Sequence, residues 1–104
     1  MTVSNNCFTK AERKELRRLA GVAYERELAK ALESLERKFG QWRKNKITAF
    51  ELNDFIHKFH NDIARDLWGF YTHGNSGMIV AHAITKGIIL KTGISPGVLE
   101  KLTR

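Results

Sequence analysis

The stretch ITAFELNDFIHKFHND, residues 47–62, decides what kind of fold this chain takes. Its apolar residues Leu52, Phe55, Ile56 and Phe59 recur at three- and four-residue intervals, and Ile63, Leu67 and Phe70 continue the stripe beyond it. That is the period of a helix and not of a strand. The stretch opens on Thr48-Ala49-Phe50-Glu51, the pattern of a capping box, in which Thr and Glu satisfy each other's backbone N–H groups. A helix is therefore expected over about residues 49–71, with one broad apolar side. Trp68 lies off that stripe and is placed to cover a third segment.

The polar side of the same helix holds Glu51, Asp54, His57, His60 and Asp62, all able to bind a metal or move a proton. A calcium loop is excluded. Matching Ile47 and Glu51 to the end of such a loop puts Gly40, Trp42 and Lys44 at the oxygen-ligand positions and Asn45 at the invariant glycine. Asp54, His57 and His60 are neighbours one turn apart and form the candidate metal set. A catalytic zinc ion needs three protein ligands and an open position, so a closed set would draw on His73, His82 or Cys7. An Asp54–His57 pair has the spacing for proton transfer. The chain shows no partner nucleophile, phosphate loop or oxyanion-hole pattern beside it. The favoured reading is a solvated face laced by the i,i+4 pairs Asp54–Lys58 and Lys58–Asp62. A metal-binding protein or hydrolase using His57 and His60 stands as the minor alternative, and no cofactor is expected.

Upstream, Thr9-Lys10-Ala11-Glu12 repeats the capping box and opens a long helix rich in Ala, Leu, Glu, Lys and Arg, expected to stop near Gly40. It carries two apolar stripes. Leu28, Ala31, Leu32, Leu35, Phe39 and Trp42 form one, and Leu16, Leu19, Ala20 and Ala23 form another, offset by more than about a third of a turn. Either the helix kinks near Gly21, or its two halves pack against different surfaces. The second stripe, which so short a chain has few residues to cover, is the candidate partner interface. The outer side of the same half carries Lys10, Arg13, Lys14, Arg17 and Arg18, a candidate contact for nucleic acid or an acidic partner.

Downstream, THGNSG breaks the chain, and a short helix over about 77–86 is expected, capped by Asn75 or Ser76 and ended by Gly87. Ile79, Val80, Ala83 and Ile84 form its inner face. Residues 88–90 read equally as a strand-like run or a further helical turn. Ser95-Pro96 starts a last helix with Val98, Leu99 and Leu102.

At 104 residues the chain is one domain, expected as a loose leader over 1–8 and a helical domain over 9–104. Cys7 is the only cysteine, so no intrachain disulfide forms. The first residues lack a signal-peptide pattern. The apolar run over 77–90 contains His82 and Lys86 and falls short of the roughly 20 residues needed to span a bilayer. The expected location is the cytoplasm. The net charge is +7, and residues 1–46 hold 12 Lys/Arg against 6 Asp/Glu, so the positive field belongs to the front half.

The segment KITAFELNDFIHKFHNDIARDLW, residues 46–68, resembles a group of small, uncharacterised bacterial helical proteins. These carry a similar Ile-Ser/Thr-x-Phe-Glu-Leu-Asn-Asp-x-Ile-His-x-Phe-His stretch after a long helix. SPGVLEKL, residues 95–102, is similar to their short closing helix. The resemblance implies an all-α fold and a bacterial origin and carries no assigned activity. The basic front helix and the HGNSG turn depart from it.

The expectation is an all-α fold: a long antiparallel helical hairpin with one or two short C-terminal helices packed across it. The expected role is a non-catalytic module that binds another protein or itself as a homodimer, with nucleic-acid backbone binding through the basic first helix as the alternative.

Overall fold

A computed structural model describes residues 7–103. The chain is all-helical, with no strand among the described residues. Helix α1 spans Lys10–Arg43, α2 Ala49–Lys58 and α3 Arg65–His73, and a π-helical segment, Phe59–Ala64, joins α2 to α3. Helix α4 spans Ser76–Thr85, and α5, Pro96–Leu102, follows a single 3-10 turn at Lys91–Gly93. Of the leader expected over 1–8, residues 1–6 lie outside the described residues. Phe8 corrects the rest of that expectation: it is 3% exposed and belongs to the core.

Both capping boxes form. The Thr9 hydroxyl accepts from the Glu12 N–H at 3.1 Å, and Glu12 accepts from the Thr9 N–H at 2.8 Å. Thr48 and Glu51 make the same exchange at 3.1 and 3.0 Å. Helix α1 does not stop at Gly40. It runs on to Arg43 and ends where Asn45 takes a left-handed φ of 59°. The Lys46 N–H then reaches the Gln41 carbonyl at 2.8 Å and the Asn45 N–H the Trp42 carbonyl at 3.0 Å, the two bonds of a Schellman ending. Gly87 ends α4 in the same way, with φ of 72° and the Ile88 N–H on the Ala83 carbonyl at 2.8 Å. Residues 88–90 are thus neither strand nor helix. They turn away from α4 so that Ile89, 4% exposed, enters the core.

Helix α1 is unbroken through Gly21. Its 34 residues, at about 1.5 Å each, match the 54 Å long axis of the molecule. Its two stripes pack on different surfaces, which resolves the alternative left by the offset. Along the first half, Leu16, Leu19 and Ala23 meet Val80, Ala83, Ile89, Ile94, Val98, Leu102 and Phe8 in one cluster. Each large side chain sealed there contributes about 1.5–3 kcal/mol. Polar ties fix its edges. Glu12 pairs with Lys101, Glu15 accepts from the Ser95 N–H at 2.9 Å, and Arg26 donates to the Ile88 carbonyl at 2.8 Å. Helix α5 comes so close to Glu12 that a Cβ on Gly97 would lie 2.9 Å from its carboxylate. Ser95 provides no side-chain cap, although Pro96 stands in the first turn as expected.

Along the second half, α1 has only the α2–α3 rod beside it. The Lys38 ammonium lies 4.4 Å from the Phe55 ring centre, Ala31 and Ile63 share a hollow, and Tyr24 stacks on Tyr71 at 4.8 Å. His82 of α4 lines the base of that hollow, and Lys86, Gly87 and Ile88 lie beside Glu27 and Lys30.

Candidate functional site

The two halves of α1 differ in how far their seams close. In the first half, Leu16 is 0% and Leu19 3% exposed. In the second, the whole α2–α3 rod has one buried apolar residue, Leu52, and the π segment and α3 have none. A two-helix layer buries only the line where the helices touch, and the residues flanking that line stay wet unless a third element covers them.

The arm, residues 24–73, therefore has two open flanks. On one, Ala31, Ser34, Ile63, Leu67 and Phe70 line a hollow of about 570 Å³, with Glu27, Lys30, Asp66 and His82 around it. This hollow runs on toward the 44–48 turn into a smaller apolar one of about 160 Å³, where Leu35, Lys38, Phe55 and Phe59 join Ala31, Ser34 and Ile63. Ile63 is 47% exposed in this groove and Phe70 38%. On the other flank, Tyr24, Leu28, Ala64 and Trp68 line a hollow with His60, Asn61 and Arg65. Trp68 does not cover a third segment. It is 53% exposed, with its ring edge-on to His73 at 5.4 Å.

A π segment, Phe59–Ala64, interrupts the rod beside this groove. An i→i+5 turn adds a residue to the helix without adding a full turn, so the residues after it are carried around the axis. Ile63, within the segment, and Phe70, after it, stand partly exposed beside the contact with α1, as does Ile56 before it. At the base of the arm the Tyr71 hydroxyl donates to Glu27 at 3.1 Å. Burial, and then the Glu27 carboxylate, push that hydroxyl well above the usual phenol range, so it remains a neutral donor.

The expected partner interface is corrected. Leu16, Leu19 and Ala23 are buried and Ala20 is packed against the same cluster, because residues 76–102 of this chain cover them. They are core and not a free surface. The candidate metal set is corrected too. Asp54, His57 and His60 lie exposed on the rod, His73 sits against Trp68 and His82 against Phe70 at 4.9 Å. Among the described residues no three His, Cys, Asp or Glu side chains gather as a metal site. Of the basic set, Arg13 is turned inward and donates to the Phe8 carbonyl at 2.9 Å, whereas Lys10, Lys14, Arg17 and Arg18 are exposed. No helix among the described residues is long and apolar enough to cross a membrane.

Sequence reasoning missed Ile63 and Phe70 as surface residues. The available signal was the breadth of the stripe from Leu52 to Phe70, which is wider than a single facing helix can cover. A scan against protein-family models, a search of curated proteins and a search of solved structures return no match to this chain.

Proposed function

We propose that this protein is a non-catalytic interaction module that binds polypeptide along its arm, α1 and the α2–α3 rod forming an antiparallel hairpin. The observation that carries this reading is the open groove beside Ile63 and Phe70, apolar at its floor and ringed by charge. An apolar floor with a polar rim is the build of a protein-binding patch. A bacterial origin and a cytoplasmic location accompany the proposal, the first from the resemblance of residues 46–68.

A photo-crosslinking residue at position 63 or 70 tests it. Crosslinks to polypeptide are expected from both positions and not from position 58, which is exposed on the polar side of the rod. Equal yields at all three positions, or none, would refute the reading.

A second reading has its own observation: Lys10, Lys14, Arg17 and Arg18 are exposed on the side of α1 away from its buried stripe. Such a face takes a phosphate backbone. Binding of mixed-sequence DNA or RNA should then fall steeply with salt and be lost in Arg17→Glu with Arg18→Glu. Binding that ignores both would rule it out.

A further inference from the structure

We infer that the groove beside Ile63 is covered by a second copy of this chain, packed face to face and antiparallel to form a four-helix bundle about a two-fold axis. The inference rests on the reading of the arm as an interaction surface and names its occupant.

Three features of the groove point to self-pairing. The first is shape. A two-fold interface uses one patch twice, so that patch must hold both the projection and the recess. Ile63, 47% exposed, stands beside the small side chains Ala31 and Ser34 where the two hollows meet. With the axis near this point, Ile63 of each copy seats over Ala31 and Ser34 of the other.

The second is charge. The base of the groove carries Glu27 and Asp66 together with Lys30, and the other end carries Lys38 and leads to Arg43, Lys44 and Lys46 in and after the last turn of α1. An antiparallel pair sets the acidic base of one copy against the basic end of the other. A parallel pair would set basic end against basic end and is disfavoured.

The third is area. The arm portion of α1, residues 24–43, gives a face about 30 Å long at about 1.5 Å per residue. Two helices about 8–10 Å apart make it about 20 Å wide. Two such faces bury about 1,200 Å², at the lower edge of stable, specific interfaces. The closed half of the molecule needs nothing from this pairing, since its own chain covers it.

Sedimentation equilibrium on the purified chain tests the inference, over about 1–100 μM, the range expected of an interface this small. The expected mass is twice 11.9 kDa at the upper end. Because each substitution enters a two-fold interface twice, Ile63→Glu should raise the dissociation constant on the order of 100-fold with helix content unchanged. His60→Glu, on the opposite flank, should leave it unchanged. Should Ile63→Glu lose helix content, the charge pair decides. Lys38→Glu should weaken pairing and Asp66→Lys added to it should restore pairing.

A wild-type monomer throughout the range overturns the second copy. If position 63 then still crosslinks to another polypeptide, the interaction reading survives without it. A dimer indifferent to both Ile63→Glu and Lys38→Glu, or one dissociated equally by His60→Glu, also overturns the proposal.

Discussion

Two leucines on the same helix should respond very differently to truncation. Leu16 is 0% exposed and Leu32 is 46% exposed, sixteen residues further along α1. Removing the Leu16 side chain loses the transfer free energy of a fully buried residue and leaves a cavity among Val80, Val98 and their neighbours. Together these place Leu16→Ala at about 3 kcal/mol, inside the 2–5 kcal/mol span of such changes. Leu32 has only about half its side chain to lose, and water fills the space left on an open flank, so Leu32→Ala should cost about 1 kcal/mol. A domain of this size has roughly 5–15 kcal/mol of stability, so both variants remain folded. Urea unfolding followed by far-ultraviolet circular dichroism, at a protein concentration low enough to exclude self-association, measures both. Equal costs for the two leucines, or a larger cost at Leu32, would refute the division of α1 into a closed and an open half.

Other outcomes follow from individual residues. Gly21 is exposed in mid-helix and a Cβ there meets nothing within 4 Å, so Gly21→Ala should add about 0.5–1 kcal/mol, read as a rise in Tm. A fall in Tm would show that α1 is not continuous there. Asn45 holds a left-handed φ at the end of α1, so Asn45→Gly should be neutral or stabilising and Asn45→Val should cost about 1–2 kcal/mol in urea unfolding. The reverse order would contradict this helix ending. The Lys101 ammonium, and then the Thr9 N–H, hold the Glu12 carboxyl below its ordinary value of 4.5. A depressed folded-state pKa gives stability that is present above the unfolded value and lost as pH falls through the folded one. Stability should therefore drop as pH falls below about 4.5, and Glu12→Gln should flatten part of that slope. An unchanged slope in Glu12→Gln would remove Glu12 from the acid transition.

Much of the local structure was legible because it rests on neighbours in sequence. The Thr9–Glu12 and Thr48–Glu51 boxes, Asn75 as a cap, Gly87 as a stop and Pro96 in a first turn each depend on residues within one turn of each other. The end of α1 was misplaced because Gly40 looks like a stop and Asn45 does not, although Asn also tolerates a left-handed backbone. The π segment is invisible to a periodicity argument, since the stripe reads continuously across Phe59 and Ile63. The burial of Leu16, Leu19 and Ala23 was the largest reversal, and it had to be. What covers them arrives from 57 (Ala23 to Val80) to 86 (Leu16 to Leu102) residues away, through Val80, Ile89, Val98 and Leu102. The candidate site therefore moved from the front half of α1 to the back half, from the stripe this chain covers to the one it leaves open.

Amide hydrogen exchange, resolved by residue and measured on dilute protein, tests that division most directly. Amides in residues 16–23 and 79–83 should exchange only through global unfolding, while those in residues 59–70 should exchange through smaller openings, with distinctly lower free energies. One uniform free energy across both groups, or greater protection in the arm than in the core, would contradict it.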